Sequence, residues 1–315
     1  MPTSLESLQM KRRDFLGLTA FAAGAATLAP LTGVAQTAPH LEPREPVWVP
    51  LTKEVKTTRI GFGTGMRGGD RRADLVRLGY PKAVEMLRYA YDLGIRLFDC
   101  ADLYGTHDVT AEALQGKPRD SYVLVSKLWL RPGGIPEMER LSPEITVKRF
   151  LRECRTDYID VLQIHCMDSN RWTQEFAAAM ESMEKLKKEG LIRAHGVSTH
   201  SNAAVELAAE TKWCDVVHVR INSEGLHMDG PNDDAAARVA EGVRVTRKAH
   251  EAGKGVIAMK VLGQGDGGMP ENPEMRKKST KFVANLGCVD VMIVGFTEKD
   301  QITEFVSNVA AVTNG

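Results

Sequence analysis

The sequence has little of what distinguishes several specialised classes of protein. Its 315 residues include five cysteines, at positions 100, 154, 166, 214 and 288, with no CxxC pair and no metal-ligand spacing. We therefore expect buried thiols rather than an iron–sulfur or zinc site built from cysteines. The 41 basic and 41 acidic residues cancel, and no basic stripe or acidic tail indicates nucleic acid or a basic partner.

The sequence also has no long, strongly apolar run of the kind that spans a membrane. A stretch from 18 to about 35 is rich in Ala and Gly and follows Lys-Arg-Arg at 11–13. Basic residues, a modest apolar stretch and then small residues are the anatomy of a secretory signal. The pair Arg12-Arg13 followed by x-Phe-Leu resembles the twin-arginine export signal, with Lys11 where Ser or Thr is usual.

We therefore expect residues 1–35 to be a twin-arginine signal peptide, cleaved after Ala35 or Ala38, and residues 36–55 to be a linker rich in Pro and charge. The expected partner is the twin-arginine export machinery. The expected location is periplasmic or secreted, without a stable membrane span. An accidental basic patch followed by a disordered arm is the alternative.

From residue 57 onward, short apolar runs alternate with amphipathic segments. The candidate strands are 59–64, 96–101, 121–127, 159–165, 192–198, 216–222, 255–262 and 289–296. Most are rich in Val, Ile and Leu with little alternation, as expected when both faces of a sheet are covered. The helical patterns between them are 81–93, a short one near 110–114, 142–155, 173–189, 202–211, 233–251, 275–286 and 298–312.

This alternation predicts an α/β fold, a single-domain (β/α)8 TIM barrel over residues 56–315. A doubly wound open sheet is the competing architecture. Its GxGxxG fingerprint should lead from the first strand directly into a helix. Here the glycines of 61–69 are followed by a charged stretch at 70–77, so we do not interpret them as a dinucleotide-binding turn.

Polar residues end three successive predicted strands. Asp99 and Tyr104 follow the second strand, Lys127 ends the third and His165 ends the fourth. The carboxyl ends of barrel strands lie at one rim, so these side chains are expected to converge there as catalytic residues. A nearby ammonium should lower the pKa of the Tyr104 phenol, which could then exchange a proton with an alcohol, while His165 polarises a carbonyl.

Such a site suits carbonyl reduction or its reverse, and the hydride must come from a nicotinamide because no side chain supplies one. Taken one by one, the residues allow simpler interpretations. Asp99 and Lys127 could be a buried ion pair, Tyr104 could only pack, and His165 could be a satisfied core histidine. A purely structural interpretation of all four residues has to explain four coincidences of residue type and strand-end position, so it is the weaker one.

Four motifs, in this order along the chain, resemble the aldo-keto reductase family. They are Phe98-Asp99-x-Ala101-x-x-Tyr104-Gly105, Ser126-Lys127, Ile159-Asp160-Val161-x-Gln163-Ile164-His165 and Gly190-x-Ile192-Arg193-x-x-Gly196-Val197-Ser198. The resemblance runs from about residue 59 to 312. It implies that Asp99, Tyr104, Lys127 and His165 form a catalytic tetrad, in which Tyr104 is the acid/base, Asp99 and Lys127 tune it, and His165 orients the carbonyl.

The cofactor residues that the resemblance implies match less closely. Ser198 fits the family's Gly-Val-Ser-Asn motif, but Thr199 replaces the asparagine and is our candidate there. His218 stands where the family has a glutamine, and Met259 stands where an aromatic often stacks on the nicotinamide. Lys260, the next residue and our further candidate, lies in a segment that resembles one branch of the family. Members of that branch often carry a cysteine-rich ferredoxin tail. We expect a member of that branch without the tail.

The segment after the eighth predicted strand resembles the family's loop for the adenosine phosphate. Its candidate contacts are Gly295, Thr297, Gln301 and Glu304, at a predicted helix start that suits a phosphate. NADP(H) is expected over NAD(H) by family habit, and Lys299 could read a 2′-phosphate or be a solvated lysine.

The expected function is therefore an NAD(P)H-dependent oxidoreductase that interconverts an aldehyde or ketone with an alcohol. Two alternatives remain open. A sugar isomerase or epimerase would need clustered metal ligands, and the histidines at 107, 195, 200, 218 and 227 show no ligand spacing. A cofactor- or ligand-binding barrel with a degenerate site is kept open by the departures at Thr199, His218 and Met259.

Overall fold

The computed structural model of the chain describes residues 43–313. The predicted signal peptide at 1–35, with its arginine pair, and the first part of the predicted linker lie outside the described residues. Within the described range, no helix is both long enough and apolar enough to cross a membrane.

Eight of the strands are parallel and close into a barrel. The strands of the described residues are β1 (Trp48–Pro50), β2 (Lys56–Thr58), β3 (Ile60–Gly63), β4 (Leu97–Asp99), β5 (Val123–Leu128), β6 (Ile159–Met167), β7 (Ile192–Thr199), β8 (Val216–Arg220), β9 (Gly255–Met259) and β10 (Val291–Val294). The order around the barrel is β10-β3-β4-β5-β6-β7-β8-β9. Each barrel strand falls inside or close to a predicted one, so the TIM-barrel prediction is confirmed. The apolar runs that lack alternation are the strands covered on both faces.

Helices pack around the barrel between these strands. They are α1 (Asp74–Arg77), α2 (Tyr80–Asp92), α3 (His107–Leu114), α4 (Pro143–Glu153), α5 (Trp172–Glu175), α6 (Ala177–Lys188), α7 (Asn202–Glu210), α8 (Ala235–Glu251), α9 (Pro273–Ala284) and α10 (Lys299–Thr313). The predicted helix 173–189 is divided at Phe176 into α5 and α6. Prolines at the starts of α4 and α9 and the Asn272 side-chain cap of α9 explain where these helices begin.

A short hairpin closes the end of the barrel at which the strands begin. Strands β1 and β2 pair antiparallel, and Leu51 and Val55 of their turn are buried with the apolar side chains of the barrel interior. A side chain at Gly255, the first residue of β9, would come within 2.3 Å of the Leu51 carbonyl oxygen. Within the segment that composition assigned to the linker, Leu51 and Val55 are therefore packed against the barrel.

Candidate active site

The four polar residues predicted to converge do lie at the carboxyl end of the barrel. Asp99 is the last residue of β4, and Lys127 is the last but one of β5. His165 lies near the end of β6, and Tyr104 ends a short 3-10 turn that follows β4. The neighbouring strands β4, β5 and β6 are paired in parallel, which explains why their ends meet.

Asp99 is shared by two cationic or hydrogen-donating partners. Its Oδ1 accepts a hydrogen bond from Lys127 Nζ at 2.5 Å and lies 3.1 Å from His218 Nε2. Lys127 also donates to the Cys100 carbonyl oxygen at 2.9 Å. Burial alone would raise the pKa of Asp99, but Lys127 and His218 outweigh burial and lower this pKa to about 2. The Asp99 carboxylate is therefore charged throughout the neutral range.

The Tyr104 hydroxyl meets His165 rather than Lys127. Tyr104 Oη lies 3.3 Å from His165 Nε2, while the Lys127 ammonium lies 5.0 Å from the centre of the phenol ring. Burial, reinforced by the Asp99 charge, raises the pKa of Tyr104 well above its usual value. The net direction is therefore the opposite of the predicted lowering, because burial disfavours the phenolate.

His165 is held as a neutral ring at an irregular point of β6. Burial and the nearby Lys127 charge depress the pKa of His165 well below its usual value. The register between β6 and β7 shifts between Ile164 and Met167, and Cys166 has a φ of 62°, a bulge of the kind that redirects a side chain. Trp129 packs edge-on against the His165 ring, with centroids 5.3 Å apart.

The loop after β3 encloses the Tyr104 ring. A side chain at Gly65 would approach this ring to 2.3 Å, so glycine is required there for close contact. The Arg71 amide donates to the Leu103 carbonyl, and the Arg71 guanidinium pairs with Asp102 at 3.0 Å. Sequence reasoning missed this anchoring, because Asp102 pairs with residues distant in the chain.

A cleft of about 680 Å³ leads away from Tyr104 along the carboxyl ends of the strands to the start of α10. It is lined by the Tyr104, Lys127 and His165 side chains at one end. Among the predicted cofactor residues, those that line it are Ser198, Met259, Lys260, Gly295, Thr297, Gln301 and Glu304. Its volume lies within the range of cofactor pockets.

Two predicted cofactor residues lie behind the cleft instead. His218 points into the barrel, where it contacts Asp99. The Thr199 hydroxyl donates to the His218 carbonyl oxygen at 2.7 Å and is buried. Alternation along a strand explains the placement of Thr199: Ser198 faces the cleft, so its neighbour Thr199 faces away. Neither Thr199 nor His218 lines the cleft.

The far end of the cleft, at the start of α10, is organised by local pairs. Gln301 Oε1 accepts from the amides of Thr297 and Glu298, at 2.9 and 3.2 Å, so it caps the helix start. Glu304 is paired through two hydrogen bonds of 2.8 Å with Arg276. Sequence reasoning missed Arg276, because it lies on α9 and enters the cleft only through the fold.

The other charges near this end are used elsewhere. Lys299 is paired with Glu85 on α2 at 2.5 Å and does not line the cleft. No group of three or more His, Cys, Asp or Glu side chains positioned to hold a metal ion is found among residues 43–313. The five cysteines of this range are free and buried, as expected.

Comparisons with known proteins agree with this architecture. The sequence pattern described as the aldo/keto reductase family matches residues 59–279. An uncharacterised oxidoreductase, YqkF, of Bacillus subtilis is 28% identical over 156 residues, covering 47% of each chain. The chain thus spans about half the length of the curated relatives that it matches.

Solved structures of low identity share the fold. A putative aldo-keto reductase from Pseudomonas aeruginosa superposes with a TM-score of 0.66 at 24% identity, over 86% of this chain and 98% of that one. An aldo-keto reductase from Klebsiella pneumoniae in complex with NADPH gives a TM-score of 0.59 at 20% identity, over 86% and 90% of the two chains. Because the family pattern covers well over half of the sequence, the chain belongs to the aldo/keto reductase family.

Proposed function

We propose that this protein is an NAD(P)H-dependent oxidoreductase that interconverts an aldehyde or ketone with an alcohol, using NADP(H) in preference to NAD(H). The observation that carries the proposal is the pairing of the Tyr104 hydroxyl with a neutral His165 at 3.3 Å, beside the charged Asp99–Lys127 pair. All four side chains stand at the end of a cleft large enough for a dinucleotide.

The residues lining the cleft fit a nicotinamide cofactor. Such a cofactor, when bound, supplies or accepts the hydride. Met259 would cover the ring with its thioether, and Ser198 would lie beside it. Arg276 and Thr297 line the far end; to hold a phosphate, the Arg276 guanidinium would have to exchange its present partner, Glu304, for that phosphate. A guanidinium is a good partner for a 2′-phosphate, which favours NADP(H), and the Klebsiella pneumoniae relative holds NADPH.

The four polar residues divide the proton chemistry among them. As the tautomer protonated at Nε2, His165 donates a hydrogen bond to the substrate oxygen; its Nδ1, which has no partner within residues 43–313, then bears only a lone pair. Tyr104, kept protonated by its raised pKa, donates its proton to the same oxygen as charge develops there. The Lys127 ammonium stabilises the phenolate that remains, and Asp99 keeps Lys127 in place.

Substitution Tyr104→Phe tests this assignment, because it removes the proton donor and keeps the ring. We expect reduction of a simple aldehyde by NADPH to fall by at least about 100-fold, the scale of general acid catalysis. The affinity for NADPH, measured by its fluorescence, should stay within about twofold. Turnover equal to that of the wild type would refute the role of Tyr104. Failure of the wild type to bind NADPH would instead favour a ligand-binding barrel.

We propose in addition that the protein is exported by the twin-arginine route to the periplasm or medium. The support is the Arg12-Arg13 pair before a modest apolar run. Since that route carries folded proteins, the cofactor can be loaded before export. Mass spectrometry of the exported protein should find a new N-terminus at about residue 36 and bound nicotinamide nucleotide. Intact, cytoplasmic protein would contradict the proposal.

A further inference from the structure

A chain of hydrogen-bonded side chains joins helices α3 and α4 to the barrel behind the reactive end of the cleft. We call it the outer network, and its members are Asp102, Arg149, Glu153, His107 and Ser126. Arg149 is the central link, because its Nη2 donates to Asp102 Oδ2 at 2.7 Å and its Nη1 donates to Glu153 Oε1 at 2.9 Å. Glu153 Oε2 lies 2.7 Å from His107 Nδ1, and His107 Nε2 lies 2.8 Å from the Ser126 hydroxyl oxygen.

Stability alone does not explain this network. Asp102, His107 and Ser126 are buried, and both oxygens of the Asp102 carboxylate are used, Oδ2 by Arg149 and Oδ1 by Arg71 at 3.0 Å. Removing charges from water costs about as much free energy as their pairing returns, so well-packed apolar residues would stabilise the fold at least as well. A fully paired network does fix the positions of its members, which points to a role in geometry.

The two ends of the network are next to residues of the proposed chemistry. Asp102 begins the 3-10 turn that Tyr104 ends. Ser126 directly precedes Lys127 on β5, so it lies on the opposite face of that strand from Lys127. The Lys127 ammonium lies 5.0 Å from the centre of the Tyr104 ring. No member of the network lines the cleft, so its members connect Tyr104 with Lys127 from outside it.

The loop after β3 holds the same turn from a second side. Besides the contact of its guanidinium with Asp102, Arg71 donates its amide to the Leu103 carbonyl oxygen at 2.9 Å. The Ala73 amide donates to the Tyr104 carbonyl oxygen at 3.3 Å. Arg71 has a φ of 56°, a left-handed conformation that a residue other than glycine keeps only where its surroundings hold it. The Asp102 carboxylate is thus the point at which two arginines fix the turn that carries Tyr104.

We propose that the outer network, through Arg149, positions Tyr104 against Lys127 for proton transfer. The inference rests on the proposed function and deepens it. When Tyr104 gives its proton to the substrate oxygen, the Lys127 ammonium stabilises the phenolate that remains, and this attraction depends on the separation of the two groups. A small misplacement of a catalytic group lowers the rate strongly. Arg149, Glu153 and His107 are therefore positioning residues, which act on kcat without touching substrate or cofactor.

Substitution Arg149→Met tests the proposal, because it removes the central link at a partly exposed side chain and leaves the cleft intact. We expect kcat for reduction of a simple aldehyde by NADPH to fall about tenfold or more, with the KM for the aldehyde and the affinity for NADPH changed by less than about twofold. Arg149→Lys, which restores a cation, should recover about a third or more of the wild-type kcat. Arg152→Met, at an exposed position of the same helix, should behave as the wild type.

A double substitution and an exchange measurement make the outcome decisive. If Asp102 and Arg149 act through one contact, Asp102→Asn combined with Arg149→Met should lose little more kcat than Arg149→Met alone. An unchanged kcat in folded Arg149→Met, or a loss confined to KM or NADPH affinity, would overturn the proposal. If the wild type reduces no aldehyde, the proposed function fails. Hydrogen exchange of the Arg71 and Ala73 amides, which bond to the turn, then decides the positioning role: faster exchange in Arg149→Met than in Arg152→Met supports it, and equal exchange refutes it.

Discussion

His218 is the residue whose position changes most between sequence and structure. It replaces a glutamine expected at the nicotinamide, yet its Nε2 lies 3.1 Å from Asp99 and the side chain is fully buried. Burial, partly offset by Asp99, lowers the pKa of His218, so its neutral ring donates this bond. Together with Lys127 it fixes the Asp99 carboxylate from two sides. We infer that His218 positions the Asp99–Lys127 pair rather than the cofactor.

Substitution His218→Leu should therefore act on chemistry and stability rather than on cofactor affinity. Removing a buried donor to a charged acceptor should cost about 1–3 kcal/mol of unfolding free energy. We expect kcat to fall about tenfold or more, because Lys127 loses its fixed partner, while NADPH affinity changes little. His218→Gln, which restores an N–H donor, should recover part of kcat. A loss of NADPH affinity with kcat unchanged would show that His218 contacts the cofactor after all.

A residue of the site could be predicted from the sequence only where its position in a strand determined its place in the fold. Asp99, Lys127 and His165 were predictable because strand ends of a barrel share one rim. The direction of the Tyr104 pKa was not, because it depends on burial. Arg276 was missed because the chain does not reveal which face of α9 meets the cleft.

At the scale of elements, the hairpin β1–β2 and the first residue of β9 close one end of the barrel together. Gly255→Ala should destabilise the fold, because the new Cβ would lie 2.3 Å from the Leu51 carbonyl oxygen and backbone must move. We expect a loss of about 1–3 kcal/mol in urea unfolding, with kcat nearly unchanged where the protein is folded, since the site lies at the opposite end. Gly69→Ala, which meets no atom within 4 Å, should be neutral.

The hairpin also shows the limit of pattern analysis for elements. The strands of the barrel and the longer helices were predictable from apolar runs and periodicity, within a few residues at their ends. Strands β1 and β2 have three residues each, too few for any period to appear. Their pairing depends on contacts with barrel residues such as Gly255, which composition does not encode.

At the scale of the whole molecule, the side chains that fill the barrel and those proposed to react lie at opposite ends of its axis. Apolar side chains and the hairpin turn fill the end at which the strands begin. At the other end, the buried ionisable side chains of Asp99, Lys127 and His165 meet at the cleft, although buried charged residues such as Arg96 and Asp160 also lie where strands begin. The sequence predicted this polarity through the strand-end residues, but not its consequence for stability, which depends on how far each histidine is desolvated.

That consequence is a loss of stability on mild acidification. Burial lowers the pKa of His165, of His218 and, to about 3, of His200. A histidine with a lowered pKa stabilises the fold above its unfolded value, about 6.5, and the stability is lost as the pH falls toward the folded value, because the unfolded chain binds more protons. Asp160 and Asp290, whose pKa values burial raises, act in the opposite direction but titrate at lower pH.

We therefore expect the urea-unfolding free energy to fall by at least about 2 kcal/mol between pH 7 and 5. His200→Gln should flatten this slope, and an unfolding free energy that stays constant from pH 7 to 5 would show that these histidines are solvated or charged in the folded protein.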